Sequence, residues 1–143
     1  MHQVYLGLGT NLGDKEANLK AAVEEIGKRV GEVTSLSAFH ASEPWGFTSE
    51  NSFLNAVCCV LTDFSPMEVL RLTQDIERSL GRIKKSVDGQ YSDRPIDIDI
   101  LLYDDLHMNT PELTIPHPLM QKRDFVMIPL REIAPETPLL PQK

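Results

Sequence analysis

The sequence has few of the residues that mark several classes of protein. Its only two cysteines, Cys58 and Cys59, are adjacent, and because neighbours on a strand point to opposite faces, a disulfide between them would be strained. No apolar stretch approaches the roughly 20 residues of a membrane span. The N-terminus lacks a basic region followed by a long apolar run, so we expect no secretory signal. These absences predict free thiols, a cytoplasmic location and no membrane partner.

Positive charge is also scarce. The 143 residues include 14 Lys and Arg against 21 Asp and Glu, a formal net charge of −7. Non-specific binding to nucleic acid or to an anionic membrane needs clustered Lys and Arg, so this balance argues against both partners. The length fits one domain. We therefore expect a single domain over residues 1–143 that acts on small molecules as a monomer.

The hydrophobic pattern predicts four strands and three helices. Alternation indicates strands, and apolar residues at helical spacing indicate helices. The second helix has the clearest beginning, because Ser65, Pro66 and Glu68 form a capping box with a proline at the first helical position. The order β-α-β-β-α-β predicts an α+β, ferredoxin-like fold, an antiparallel sheet with both of its helices packed on one face. The predicted strands are 3–9, 32–41, 52–62 and 96–103, and the predicted helices run from an Asp14 cap to about Val30, over 66–80 and over 124–133.

Asp97 and Asp99 form the strongest chemical signal. Residues i and i+2 of a strand share a face, so both carboxylates point the same way, about 6 to 7 Å apart at their roots. Ile96, Ile98 and Ile100 then face the core. A carboxylate pair on a rigid strand suits Mg²⁺, which prefers one or two carboxylates together with substrate phosphates. The alternative is a solvated polar face.

Basic residues bracket this acidic pair. Arg94 lies just upstream, and Arg82, Lys84 and Lys85 stand at the other end of the preceding loop. Carboxylates for metal between basic residues on a loop are what phosphoryl transfer from a nucleotide requires. Alternatively, the basic cluster complements the dipole at a helix C-terminus.

Three smaller constellations have two interpretations each. Gln74 and Glu77 share a helix face and are either hydrogen-bonding groups for a nucleoside or a solvated flank. Phe53 and Asn55 share a strand face and would suit a flat heterocycle, or they belong to the core. His117, held between two prolines, is either a donor to phosphate or a structural histidine.

The glycine-rich stretch from Gly7 to Gly13 does not indicate a dinucleotide site. Its spacing, G-x-G-x-x-x-G, is one residue too long, and the predicted sheet is not parallel and doubly wound. No GK[ST] follows it, which excludes a P-loop. We interpret it as a tight connection from strand to helix.

Taken together, the motifs resemble the 6-hydroxymethyl-7,8-dihydropterin pyrophosphokinase family. The matching segments occur in the family's order and span nearly the whole chain. They are Gly9-Thr10-Asn11-Leu12-Gly13-Asp14, Phe53-Leu54-Asn55-Ala56-Val57, Gln74-Asp75-Ile76-Glu77, Gly81-Arg82, Arg94-Pro95-Ile96-Asp97-Ile98-Asp99-Ile100, Ile115-Pro116-His117-Pro118 and Glu132-Ile133-Ala134-Pro135.

The resemblance implies a ferredoxin-like enzyme that transfers a diphosphoryl group from ATP to the hydroxymethyl oxygen of the pterin and releases AMP. Asp97 and Asp99 would hold two Mg²⁺ ions and would be catalytic together with Arg82 and Arg94. The expected pterin pocket comprises Ser42, Glu43, Trp45, Phe53, Asn55 and Phe125. The expected ATP site comprises Gln74, Glu77, Lys84, Tyr91, Arg94, Ile100, Thr114, His117 and Arg123.

Two alternative functions remain open at this point. One is another Mg²⁺-dependent phosphotransferase that uses the same two carboxylates, which would form different products. The other is a non-enzymatic ligand-binding module on the same fold, which would bind its ligand independently of Mg²⁺ and show no turnover.

Overall fold

The computed structural model describes residues 1–42, 52–81 and 96–134. The helices and strands alternate along the chain much as the hydrophobic pattern predicts. In chain order they are β1 (His2–Thr10), α1 (Lys15–Arg29), β2 (Glu32–Leu36), β3 (His40–Ser42), β4 (Phe53–Thr62), α2 (Pro66–Ser79), β5 (Asp97–Tyr103), β6 (Met108–Asn109), β7 (Thr114–Ile115), a short 3₁₀ turn (Met120–Lys122) and α3 (Asp124–Ile133).

The principal sheet is antiparallel, with strand order β2-β4-β1-β5 and with β3 paired to the other end of β4. This order, together with the β-α-β-β-α-β succession, confirms the predicted α+β, ferredoxin-like arrangement. The strands β6 and β7 form a separate small hairpin. No helix in the described parts of the chain is long and apolar enough to cross a bilayer.

The sheet is buried on both faces. Helices α1 and α2 cover one face, where side chains such as Leu19, Ile26 and Ile76 pack against alternate residues of the strands. Helix α3 covers part of the opposite face, where Val126 and Leu130 pack. The first two helices thus share a face, as the pattern predicts, and the third makes a second core on the other side.

The two cysteines illustrate this two-sided burial. Cys58 packs in the core under α1 and α2, whereas Cys59 packs in the core under α3. Both thiols are free, as predicted, and burial together with the neighbouring Cys59 raises the pKa of Cys58 to about 12. We therefore assign both residues to packing rather than to chemistry.

The predicted strand over 32–41 is wrong in one respect, because it is broken into β2 and β3. Leu36 lies opposite Cys58, and His40 lies opposite Asn55. The chain therefore takes four residue steps from 36 to 40 while β4 takes only three from 58 to 55. The extra residue bulges out of the ladder. At the break the Ser37 N–H donates to the Val57 carbonyl at 2.9 Å, and Ser37 Oγ accepts the Val57 N–H at 2.9 Å. A side-chain oxygen thus replaces a backbone acceptor.

The beginnings of the two long helices follow the sequence closely. Asp14 Oδ1 accepts the Ala17 N–H at 3.1 Å and caps α1. The Ser65 and Glu68 side chains each accept the other's backbone N–H, at 3.2 and 2.9 Å, which completes the predicted capping box of α2. These local hydrogen bonds satisfy donors that a helix leaves unpaired, so the sequence alone predicts them.

Candidate active site

The two aspartates of β5 lie half-buried on the sheet face that α3 partly covers. Their even-numbered neighbours Ile98 and Ile100 are buried in the opposite core, with 6% and 4% exposure, which confirms the predicted division of the strand. The two carboxylates therefore project from one side of a strand whose other side is fixed by packing.

Glycines stand directly across from both carboxylates. Gly9 is the Cα partner of Asp97, and Gly7 is the Cα partner of Asp99, both on β1. The space above Gly7 is filled by the Leu101 side chain, whereas a methyl group at Gly9 would lie 3.2 Å from Asn55 Oδ1. Each glycine therefore makes space for a neighbouring side chain of the protein, Leu101 at Gly7 and Asn55 at Gly9. Both glycines lie in β1, as the predicted strand over 3–9 places them, and the connection to α1 begins only after Thr10.

Asn55 and Phe53 lie beside Gly9 on the same face. Asn55 is only 3% exposed, and its Nδ2 donates to Ser42 Oγ at 2.6 Å and to the His40 carbonyl at 3.3 Å. Ser42 is the Cα partner of Phe53. Three of the residues expected around a pterin therefore meet at one end of β4.

Helix α3 brings further predicted residues to this face. Phe125 packs on the core that contains Val57 and Cys59. The Arg123 guanidinium lies 5.5 Å from the centroid of the Phe125 ring, within the range of a cation–π contact. The helix thus presents an aromatic ring and a positive charge toward the same sheet face as the aspartates.

His117 is close enough to both Arg123 and Asp97 to be influenced by their opposite charges. Its backbone N–H donates to the Leu101 carbonyl at 3.0 Å, and its Nδ1 accepts the Leu119 N–H at 3.3 Å. Burial and the Arg123 charge lower the pKa of His117, while the Asp97 carboxylate acts in the opposite direction. The ring is therefore neutral at pH 7 and carries its proton on Nε2, which makes Nε2 a hydrogen-bond donor.

We expect His117 to titrate below its ordinary pKa of 6.5 in the substrate-free protein. Its contribution to stability is fully present above the unfolded pKa and is lost as the pH falls through the lower, folded pKa. A two-dimensional NMR titration of the imidazole nitrogens measures both the pKa and the tautomer. A midpoint at or above 6.5, or a proton on Nδ1 at pH 7.5, would contradict this environment.

Glu77 is buried, with 7% exposure, and its Oε2 accepts the Ile98 N–H at 2.7 Å. The alternative of a solvated flank is therefore wrong for Glu77, although Gln74 on the same helix is exposed. The carboxylate ties the C-terminal half of α2 to the strand segment between the two aspartates. Thr114 is half-buried on β7, and the Ile100 side chain lies in the core, so contact with a nucleoside would have to come from the Ile100 backbone.

The donor set fits Mg²⁺ rather than a closed protein cage. Within residues 1–42, 52–81 and 96–134, no three His, Cys, Asp or Glu side chains converge to hold a metal ion. A pair of carboxylates is what Mg²⁺ takes from a protein when substrate phosphates and water supply its remaining ligands. Other predicted site residues lie outside the described ranges: Glu43, Trp45, Arg82, Lys84, Tyr91 and Arg94.

Known proteins match this chain over nearly its whole length. Residues 5–135 match the family model of 7,8-dihydro-6-hydroxymethylpterin-pyrophosphokinase (HPPK). A 2-amino-4-hydroxy-6-hydroxymethyldihydropteridine pyrophosphokinase of Porphyromonas gingivalis is 52% identical over 133 residues, which cover 92% of this chain and 90% of that protein. The protein of the same name from Aquifex aeolicus is 39% identical over 135 residues, covering 94% and 82%.

Solved structures agree in fold. An HPPK-DHPS in complex with substrates has a TM-score of 0.72 at 16% identity, covering 95% of this chain and 40% of that one. A Plasmodium falciparum HPPK-DHPS triple mutant has a TM-score of 0.76 at 15% identity, covering 99% and 42%. This chain thus spans about two fifths of those longer proteins. With the family match over nearly its whole length and relatives of high identity, the chain belongs to the HPPK family of pyrophosphokinases.

Proposed function

We propose that this chain is an enzyme of folate biosynthesis that transfers a pyrophosphoryl group from ATP to the hydroxymethyl oxygen of 6-hydroxymethyl-7,8-dihydropterin. The family match over residues 5–135 carries this proposal. The arrangement of the described residues supports it, since carboxylates, a cationic group and aromatic rings share one sheet face. ATP is the co-substrate, and AMP and the diphosphorylated pterin are the products.

The reaction depends mainly on positioning of the two substrates and on stabilisation of the phosphate charge. The pterin hydroxyl oxygen attacks the β-phosphorus of ATP in line, the bond from that phosphorus to the oxygen bridging it to the α-phosphorus breaks, and that oxygen leaves with AMP. The hydroxyl passes its proton to Asp99 or to water as the new P–O bond forms. Such loose phosphoryl transfers depend on alignment of the reactants and on neutralisation of phosphate charge.

Asp97 and Asp99 are the proposed ligands of two Mg²⁺ ions. Bound Mg²⁺ would supply positive charge at the phosphates and would lower the pKa of the attacking hydroxyl. The strand fixes the direction of both carboxylates, and Gly9, across from Asp97, makes space for the Asn55 amide. Glu77, through its bond to the Ile98 N–H, holds the segment of β5 that carries them.

The remaining residues of the predicted site are proposed to bind the phosphates and the nucleoside of ATP. His117 donates from Nε2 to a phosphate oxygen, and Arg123 supplies positive charge next to it. Arg82 and Arg94, proposed as catalytic, and Lys84 add further positive charge to the phosphates. Gln74, Glu77, Tyr91, Ile100 and Thr114 are proposed to surround the nucleoside.

The pterin is proposed to lie between the Phe53 and Phe125 rings, which would stack on its two faces. Asn55 would read its polar edge, and Ser42, Glu43 and Trp45 would complete the pocket. The amide of Asn55 is held by β3 on one side and turns its oxygen toward Gly9. A flat heterocycle with several donors and acceptors suits such a slot.

Asn55→Ala is expected to raise the KM for the pterin about 10- to 100-fold, because a site built to hydrogen-bond a substrate loses recognition when the partner is removed. The KM for ATP should change less than about twofold. Steady-state kinetics with each substrate varied in turn measures both.

Thr62→Ala is the matched control, because Thr62 is also a buried polar residue of β4, but at the opposite end. Its hydroxyl donates to the Val30 carbonyl at 2.6 Å. This variant should lose stability and keep both KM values. An Asn55→Ala enzyme with an unchanged KM for the pterin would refute the proposed pocket.

Product analysis tests the reaction itself. The protein is incubated with ATP, Mg²⁺ and the hydroxymethyl dihydropterin, and the nucleotide products are separated. AMP with a diphosphorylated pterin supports the proposed function. ADP or inorganic phosphate instead would indicate another Mg²⁺-dependent phosphotransferase or hydrolase, and tight binding without turnover would indicate a binding module.

We also propose that residues 1–143 form one domain that works as a cytoplasmic monomer, without nucleic-acid or membrane partners. Both cores of the described chain share a single sheet, which supports one folding unit. The net charge of −7 disfavours polyanionic partners. Sedimentation equilibrium of the purified chain tests the monomer directly.

A further inference from the structure

Glu132, in the last turn of α3, bridges the helix to the break between β2 and β3. Its Oε1 accepts the Ala38 N–H at 2.9 Å, and its Oε2 contacts Nε2 of the His40 ring. The Ala38 hydrogen bond and His40 lower the pKa of Glu132, so the carboxylate is ionised at neutral pH. One side chain therefore joins α3 to a segment of the sheet that lacks regular ladder bonds.

The next contacts lead from His40 into the proposed pterin pocket. His40 is the Cα partner of Asn55, and the His40 carbonyl accepts a hydrogen bond from Asn55 Nδ2. The same Nδ2 donates to Ser42 Oγ at 2.6 Å. Because Asn55 is buried, these two acceptors on β3 set the orientation of its amide. The position of β3 thus decides where the Asn55 oxygen points.

Helix α3 connects Glu132 to the other side of the proposed pterin pocket. Phe125 and Glu132 are seven residues apart, which is 20° short of two full turns, so they lie on the same side of the helix, about 10 Å apart along its axis. Fixing Glu132 against Ala38 and His40 therefore restricts rotation of α3 and with it the placement of the Phe125 ring. The Phe53 ring belongs to the sheet side of the slot.

We propose that Glu132 is a positioning residue for the pterin half of the site, holding β3 and α3 so that Ser42 and Asn55 lie opposite Phe125. The inference rests on the proposed function, because it takes the slot between Phe53 and Phe125 as the pterin site. Glu132 itself contacts only protein groups in this role. Its influence on the substrate passes through His40 and through the helix.

Glu132→Ala tests the proposal with the two substrates as separate readouts. We expect the KM for the pterin to rise about 10-fold, because small displacements of positioning groups weaken binding, while the KM for ATP changes less than about twofold. Glu132→Gln keeps an oxygen acceptor for the Ala38 N–H but loses the charge toward His40, so it should raise the KM for the pterin about threefold. The conservative variant also provides the test if the alanine variant does not fold.

Glu25→Ala is the matched control. Glu25 is a partly exposed glutamate whose carboxylate pairs with Arg29 at 2.9 Å, and its helix α1 covers the face of the sheet opposite to α3. Its removal should leave both KM values unchanged. Thermal unfolding of all variants separates loss of folded protein from loss of binding.

The outcomes distinguish this inference from the proposed pocket. A KM for the pterin within twofold of wild type in folded Glu132→Ala and Glu132→Gln would overturn the positioning role, and so would equal increases in both KM values. If Asn55→Ala raises the KM for the pterin and the Glu132 variants do not, only this inference fails. If Asn55→Ala also has no effect, the pocket itself is wrong.

Discussion

Asp97→Asn and Asp99→Asn enzymes are each expected to lose at least about 1,000-fold in kcat, which corresponds to about 4 kcal/mol of transition-state stabilisation. Asparagine keeps the shape of the side chain and removes the negative charge that would hold Mg²⁺ and the ATP phosphates. The fold should survive, because both aspartates are half-buried and the packing of β5 comes from Ile98 and Ile100. Initial rates at saturating ATP, pterin and Mg²⁺ measure the effect.

Asp105→Asn is the matched control for both variants. Asp105 is exposed in the turn that follows β5, so it undergoes the same chemical change on the same chain segment but at the far end of the strand. Its kcat should equal that of wild type. An Asp97→Asn enzyme that retained more than about a tenth of wild-type kcat would argue against a metal-binding role.

Gly31→Ala is expected to destabilise the protein by about 3 kcal/mol. The added methyl carbon would lie 1.9 Å from the Leu61 carbonyl oxygen and 3.2 Å from the Thr62 Cα, so the backbone of β4 would have to move. Gly31 therefore allows a close approach of two backbone segments where α1 passes into β2. Urea unfolding followed by circular dichroism gives the change in the free energy of unfolding.

Gly27→Ala makes the same substitution four residues earlier with the opposite expected sign. Gly27 lies inside α1, and its nearest neighbour for a new methyl group is Val33 Cγ2 at 4.0 Å. Because alanine favours the helix over glycine by about 1 kcal/mol, this variant should be more stable than wild type. If the two substitutions changed the free energy of unfolding in the same direction and by the same amount, the contact with Leu61 would not govern the effect of Gly31→Ala.

Much of the fold could be predicted from local patterns. The capping box at Ser65 and Glu68 and the isoleucines of β5 depend on neighbours within a few residues, which the sequence displays directly. The break between β2 and β3 could not be predicted, because it depends on Ser37 exchanging two hydrogen bonds with Val57, twenty residues away. A run of ten residues with β-prone character gives no sign of such an exchange.

Some features of the candidate site could likewise be predicted from the sequence, and others could not. The shared face of Asp97 and Asp99 follows from strand geometry alone. The glycines opposite them are recognisable only when the register of β1 and β5 is known. Glu77 meets Ile98 across 21 residues, and Glu132 meets His40 across 92, so neither contact has a local signal.

The proposed role of Asp97 and Asp99 as metal ligands is tested most simply by measuring metal binding. Mn²⁺ can replace Mg²⁺ as a paramagnetic probe, and its binding to the protein is followed by electron paramagnetic resonance with and without a non-hydrolysable ATP analogue. We predict weak binding to the protein alone, tight binding of two ions when the analogue is present, and loss of the tight sites in Asp97→Asn and Asp99→Asn. Equal numbers and affinities of Mn²⁺ in wild type and in both variants would contradict the account.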